Sequence, residues 1–140
     1  MQVEIVEMTP ADCEDALALW RRTEGVGLNE GDTQEGITAY LARNPGLSQI
    51  ARCEGRIVGA VLCGHDGRRG YLHHLAVEPA FRGRGLGSAI VDRCLNRLAA
   101  AGIEKCNLFV YADNEQGARF WSRNGWTERT ELKVLSKRTA

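Results

Sequence analysis

The segment from Leu75 to Ser88 constrains the fold more than any other part of this sequence. It contains an apolar strand that ends at Val77, a proline break, and a loop with three alternating glycines. The loop leads directly into a helix whose apolar side chains recur at four-residue spacing: Leu86, Ile90, Cys94 and Leu98. A strand that passes through such a loop into a core-facing helix is typical of an α/β protein.

The glycine-rich loop also predicts an anion site. Glycines allow a ligand to approach the backbone closely, and the free N–H groups of a helix amino terminus attract phosphate oxygens. Arg82 and Arg84 add positive charge suited to a pyrophosphate. The segment lacks the Gly-Lys-Ser/Thr of a P-loop and the glycine spacing of a dinucleotide fingerprint. The alternative interpretation is a glycine-rich turn that only positions the helix.

Hydrophobic periodicity and turn residues predict the remaining elements. They indicate the order β-α-α-β-β-β-α-β-α-β-β, which implies an α/β (α+β) sandwich with helices packed on a mixed sheet, in one domain over 1–140. The predicted strands cover 3–8, 47–53, 56–64, 71–77, 105–111, 126–130 and 131–137. Four helices are predicted. The first begins after Thr9 and the second ends before Pro45. The third runs from the glycine loop to Gly102, and the fourth follows Asn114.

Composition excludes several classes of function. The 18 Lys and Arg residues balance 18 Asp and Glu residues, so no net charge favours nucleic acid, although Arg68, Arg69 and the Arg-Gly-Arg-Gly run offer a rival RNA-binding patch. No apolar run approaches the roughly 20 residues that cross a bilayer. The five cysteines show no metal-ligand spacing, so we expect no metal site and a reducing compartment, the cytoplasm.

Two motifs together resemble those of the GNAT superfamily of acyl-CoA N-acyltransferases. The first is Val-Glu-Pro-Ala-Phe-Arg-Gly-Arg-Gly-Leu-Gly-Ser, in which Arg82, Gly85 and Gly87 fit the acetyl-CoA signature. The second is Asn-Glu-Gln-Gly-Ala-Arg-Phe-Trp-Ser-Arg-Asn-Gly-Trp, which begins at Asn114. The resemblance implies a mostly antiparallel sheet whose fourth and fifth strands splay apart, with helices on both faces.

The resemblance also implies how acetyl-CoA, as co-substrate, would bind. The main chain of Leu75, Ala76 and Val77 would contact the pantetheine arm, and the side chain of Asn114 would contact the cofactor. The pyrophosphate would be held by Arg82, Gly83, Arg84, Gly85, Leu86, Gly87 and Ser88. A small-molecule or protein amine would then attack the thioester directly. The resemblance leaves open which amine, whether another short acyl group is used, and whether the chain forms a homodimer.

Trp121 departs from the family pattern. A tyrosine that protonates the leaving CoA thiolate often stands at this position, and an indole N–H is not a practical acid. Tyr111 or water would have to supply that proton. The departure keeps open a non-catalytic acyl-CoA-binding module on the same fold.

The strand 71–77 contains the candidate general base. Regular alternation places Tyr71 and His73 on one face and His74 in the opposite layer. The strand resembles that of arylalkylamine acetyltransferases, whose two catalytic histidines fall on Tyr71 and His73. A neutral imidazole can accept the ammonium proton of the acceptor. The alternative is a hydrogen-bonded histidine with no role in proton transfer.

Carboxylates between the first two helices are the candidate acceptor site. Glu24 and Asp32 lie in a region from which this superfamily commonly builds acceptor pockets. Clustered carboxylates would favour a cationic acceptor. A solvated loop in which Asp32 caps the next helix is the alternative.

Overall fold

The computed structural model describes residues 2–140. The chain divides into a larger unit that ends at Phe109 and a smaller unit from Val110 to Ala140. The larger unit contains β1 (Glu4–Glu7), α1 (Cys13–Arg21), α2 (Gln34–Arg43), β2 (Gln49–Cys53), β3 (Arg56–His65), β4 (Gly70–Val77), α3 (Leu86–Ala100) and β5 (Cys106–Leu108). The smaller unit contains α4 (Glu115–Arg123). Short 3-10 turns lie at Pro10–Asp12 and Pro79–Phe81.

The five strands form one sheet in the order β1-β2-β3-β4-β5. All neighbouring pairs are antiparallel except β4 and β5, which are parallel. The hairpin between β2 and β3 turns at Glu54 and Gly55, whose φ angles of 52° and 76° suit the tight turn required between the strands predicted at 47–53 and 56–64. The predicted α/β class with a mostly antiparallel sheet is therefore confirmed.

Helices cover both faces of this sheet. On the α1 face, Ala60 and Leu62 of β3 belong to one core cluster with Trp20 of α1 and Ile37 of α2. On the α3 face, a Cβ atom added to Gly59 would lie 2.8 Å from Ile90 Cδ1 of α3. Successive residues of β3 thus point to opposite helical layers, as strand geometry requires.

Capping side chains stabilise the 3-10 turn that precedes α1 and the first turn of α2. Thr9 and Asp12 form a capping box, in which the Asp12 carboxylate accepts from the Thr9 backbone N–H. The same buried carboxylate pairs with Arg52 of β2, which ties the helix start to the sheet. Thr33 caps α2 through its side-chain oxygen, 3.0 Å from Gly36 N.

The two strands predicted at the end of the chain are not present. Residues 126–140 contain neither helix nor strand in the structure, and β5 is shorter than predicted. The apolar side chains that suggested the last strand are exposed, with Leu132 at 61%, Val134 at 71% and Leu135 at 89%. A strand needs a neighbouring backbone to pair with. The described residues of the smaller unit form no other strand that could serve as that partner.

Candidate active site

The parallel strands β4 and β5 separate soon after they meet. Their only paired positions in the described chain are Gly70 with Cys106, Tyr71 with Asn107, and Leu72 with Leu108. The edge of β4 that faces β5 therefore has no strand partner from His73 to Val77. This confirms the predicted splay and leaves backbone donors and acceptors available to a ligand. Leu75, Ala76 and Val77, predicted to contact the pantetheine arm, lie in this half of β4.

A β-bulge interrupts β4 where the splay begins. His73 pairs with Leu62 and Ala76 pairs with Ala60, so two residues of β4, His74 and Leu75, lie opposite one residue of β3. His74 has a φ of 61°, in the left-handed region that favours glycine. Non-glycine residues in that region cost on the order of 1–3 kcal/mol. The bulge breaks the alternation of side chains along β4.

The predicted placement of His74 in the opposite layer is wrong, because of this bulge. The His74 ring packs against Trp20 of α1, with ring centroids 5.3 Å apart. Its Nε2 lies 2.9 Å from Oδ1 of Asp32, in the loop between α1 and α2. His74 therefore shares the α1 face of the sheet with His73.

Asp32 fastens the α1–α2 loop to β4. Its second oxygen, Oδ2, accepts a hydrogen bond of 2.8 Å from the backbone N–H of Asn29. Both carboxylate oxygens are thus engaged within the protein, and the side chain is 14% exposed. Glu24, the other predicted acceptor-binding residue, is exposed in the same loop. The capping role considered for Asp32 belongs instead to Thr33.

His73 lies among aromatic rings. Tyr71 stacks on it at a centroid distance of 6.3 Å, Tyr40 of α2 meets it edge-on at 6.2 Å, and Phe109 lies at 6.3 Å. Burial lowers the pKa of His73, with a smaller contribution from the neighbouring His74. The imidazole is consequently held in its neutral form, the form able to accept a proton.

The glycine loop ends at the amino terminus of α3. Gly83 and Gly85 have φ angles of 77° and 78°, so the backbone here requires glycine. Gly85 is the N-cap of α3, and no side chain caps the helix. An uncapped first turn presents backbone N–H groups and the positive end of the helix dipole to an anion. The residues predicted to hold the pyrophosphate therefore form a suitable cradle.

Two arginines flank this cradle. Arg82 and Arg84 are exposed. Arg82 Nε donates to the Val77 carbonyl oxygen at 2.8 Å, which joins the loop to the end of β4. Arg84 lies over the Phe81 ring at 5.6 Å. Neither guanidinium is buried, so both can respond to a phosphate without leaving a packed core.

In the smaller unit, Asn114 caps α4. Its Oδ1 accepts from Gly117 N at 2.9 Å, the capping role predicted from the sequence. Trp121 contacts the rings of Phe120 and Trp126 at 5.0 and 5.2 Å. Tyr111, the alternative proton donor, is 55% exposed.

Sequence reasoning missed the Asp32–His74 pair and the place of Tyr40 beside His73. The spacing of Ile37, Tyr40 and Leu41 on one face of α2 could have indicated that Tyr40 faces the sheet. No group of three or more His, Cys, Asp and Glu side chains in residues 2–140 is arranged to hold a metal ion. No helix in that range is both long enough and apolar enough to span a membrane.

The splayed sheet, with a glycine-rich helix start at the open end of β4, defines an α/β protein suited to an elongated, phosphate-bearing ligand. Comparison with known proteins identifies the family. The family model described as "Acetyltransferase (GNAT) family" matches residues 13–126, a range that includes parts of both units. The chain belongs to that family and is an acyltransferase.

Curated relatives agree with this assignment, and a solved structure has the same fold. An acetyltransferase of Photorhabdus laumondii is 34% identical over 97% of this chain and 95% of its own length. An acetyltransferase of Sodalis glossinidius is 32% identical over 91% of this chain and 89% of its own length. The PaiA N-acetyltransferase of Thermoplasma acidophilum, solved in complex with coenzyme A, has the same fold. Its TM-score is 0.79 at 19% identity, covering 91% of each chain.

Proposed function

We propose that this protein transfers an acetyl group from acetyl-CoA to a primary amine. The observation that carries the proposal is the open edge of β4, which leads to the uncapped amino terminus of α3. The pantetheine arm would lie along Leu75–Val77, and the pyrophosphate would meet the amides between Gly83 and Ser88. The neighbour solved with coenzyme A has the same fold, which supports this binding mode.

The chemistry requires an unprotonated amine, because an ammonium has no lone pair. We propose that His73 takes the ammonium proton and that Tyr71, stacked on its ring, holds it in place. The amine nitrogen then attacks the thioester carbonyl carbon. The C–S bond breaks as the amide forms, and the CoA thiolate takes up a proton from the nitrogen. No acyl-enzyme is required.

The acceptor is either a small-molecule amine or an amine on a protein. Glu24 and Asp32 lie on the loop between α1 and α2, and their negative charge favours a cationic acceptor. We propose that residues 1–140 act as one catalytic domain. All five cysteines carry free thiols, which supports a reducing compartment such as the cytoplasm.

Turnover against a panel of amines tests the proposal. The panel should include polyamines, aminoglycosides, aromatic amines, amino acids and peptides with a free amino terminus or lysine. We expect acetyl-CoA-dependent formation of an acetylated amine, detected by mass spectrometry, together with stoichiometric release of free CoA thiol. A reaction without amine controls for hydrolysis. Tight binding of acetyl-CoA with no product across the panel would favour the non-catalytic module.

A further inference from the structure

The bulge in β4 places two imidazoles side by side on the α1 face. His73 and His74 are consecutive residues, yet their ring centroids lie only 6.2 Å apart. In a regular strand these side chains would point to opposite layers. The left-handed conformation of His74 is what directs its ring toward α1. The arrangement gives the acceptor side of the sheet a second titratable ring.

Asp32 determines which nitrogen of His74 carries the proton. A carboxylate only accepts hydrogen bonds, so the Nε2 that lies 2.9 Å from Asp32 Oδ1 must be the donor. The lone pair of the neutral ring is then on Nδ1. Because the Asn29 amide holds the other carboxylate oxygen, Asp32 is fixed in this orientation. A carboxylate held in this way orients the imidazole and fixes its tautomer.

His73 is poorly equipped to keep a proton. Its neighbours on the α1 face are the rings of Tyr40, Tyr71 and Phe109 and the imidazole of His74. Burial in these surroundings lowers the pKa of His73, and the adjacent His74 lowers it further, while the charge of Asp32 raises it by a smaller amount. A proton taken up by His73 therefore needs an outlet.

We propose that the Asp32–His74 pair receives the proton that His73 takes from the acceptor ammonium. This inference rests on the proposed acetyl transfer and assigns Asp32 and His74 as positioning residues that act through His73. The ammonium first transfers its proton to His73 and becomes a neutral amine. The proton then crosses to His74 Nδ1 through one bridging water. His74 becomes an imidazolium next to the Asp32 carboxylate and later releases the proton to solvent.

The groups around His74 are consistent with this outlet. From the α1–α2 loop it faces the carboxylate of Asp32, and from β4 it faces His73. From α1 it faces Trp20, which is fully buried and carries no charge. Asp32 is therefore a charged side chain in direct contact with this ring. A cation at His74 is in direct contact with a carboxylate, whereas a cation at His73 is farther from it.

Asp32→Asn tests the proposal with little change in shape. The amide oxygen of the new Asn must still accept from the Asn29 N–H, so its NH2 group would face His74 Nε2. His74 must then carry its proton on Nδ1 and can no longer accept one there. We expect the single-turnover rate, with both acetyl-CoA and the acceptor saturating, to fall at least about tenfold at pH 7. Asp92→Asn, at an exposed position on α3, is the matched control and should retain the parent rate.

Two further readouts separate proton transfer from a structural role. The loss of rate in Asp32→Asn should become smaller as the pH is raised toward the pKa of the amine, because more of the acceptor then binds already deprotonated. His74→Gly tolerates the left-handed backbone and removes the ring. Its rate should be partly restored by added imidazole. A merely structural loss would depend neither on pH nor on imidazole.

Parent rates in both Asp32→Asn and His74→Gly would overturn the proposal. So would losses that neither high pH nor imidazole reduces. The His74 tautomer, read from imidazole nitrogen chemical shifts by NMR, needs no acceptor. Neutral His74 should be protonated on Nε2 in the parent and on Nδ1 in Asp32→Asn, and a parent ring protonated on Nδ1 would exclude the outlet. Absence of turnover with every amine would instead count against the proposed function.

Discussion

Replacing Gly85 by Glu tests the proposed pyrophosphate cradle. Gly85 has a φ of 78°, and a Cβ atom added there would meet nothing within 4 Å. The substitution therefore creates no clash, and its cost to the free protein is the left-handed conformation of a non-glycine residue, about 1–2 kcal/mol. For a chain of this length, about 3–4 °C of melting temperature corresponds to each kcal/mol. We expect the free variant to melt roughly 3–8 °C below the parent.

The effect on ligand binding should be larger and of a different kind. A ligand at 100 times its dissociation constant stabilises the folded state by about 2.7 kcal/mol. That corresponds to roughly 8–11 °C for the parent with acetyl-CoA. In Gly85→Glu a side chain and a negative charge enter the space where the phosphates would lie. We expect the acetyl-CoA shift to fall to about 1 °C or less.

Gly67→Glu is the matched control for this experiment. Gly67 has a φ of 94° and also has nothing within 4 Å of an added Cβ, but it lies in the loop between β3 and β4. The two variants should therefore lose similar stability, while only Gly85→Glu should lose the acetyl-CoA shift. Gly85→Gln separates the effect of size from that of charge. Equal shifts in Gly85→Glu and Gly67→Glu, measured by scanning fluorimetry or calorimetry, would refute the cradle.

Three other variants test the surroundings of the proposed base. His73→Ala should lower kcat by roughly ten- to a thousandfold at pH 7 and recover most of the loss at high pH; an unchanged kcat, with chemistry rate-limiting, would remove His73 from the mechanism. Because burial lowers the pKa of His73, the unfolded chain binds a proton there more tightly. Stability should therefore fall as the pH drops below about 6.5, until His73 titrates in the folded state. His73→Gln should flatten this part of the profile in urea titrations, and an unaltered slope would contradict the assignment. An added Cβ at Gly64 would approach the Tyr40 hydroxyl and lie 2.7 Å from Asn44 Cγ. Gly64→Ala should then destabilise the fold by about 1–3 kcal/mol, whereas a neutral effect would show that Tyr40 is free to move.

Elements with local signals could be predicted from the sequence. The second helix was predicted to end before Pro45, and the observed α2 ends at Arg43, although its cap is Thr33 and not the Asp32 considered from the sequence. The position of the hairpin between β2 and β3 follows from Glu54-Gly55, because few residue pairs easily adopt the left-handed φ angles of this turn. The glycine loop was recognisable for the same reason. In each case the physical cause lies within a few residues of the feature.

Features that depend on distant partners could not be predicted. The apolar alternation in 131–137 fits a strand, but strand formation depends on a neighbouring backbone that the local sequence does not specify. The bulge at His74 is a similar case, because the sequence His-His-Leu contains no glycine to mark it. The predicted alternation of side chains along β4 assumes a regular strand, but the bulge adds one residue at this point. Every side chain placement beyond that point depends on counting the extra residue.

The bulge and the splay occur at adjacent positions of β4, and together they account for a site with two sides. Beyond Leu72 the edge of β4 is free of β5, so its backbone can bind an extended ligand. At His74 the extra residue turns an imidazole toward α1, where Asp32 and Trp20 hold it. In the proposed reaction, the backbone edge would bind the thioester arm and the side-chain face would meet the amine. If the cofactor arm follows Leu75–Val77, its reactive end reaches β4 next to the two histidines. The left-handed conformation of His74 costs free energy, which the Asp32 hydrogen bond and the packing against Trp20 offset.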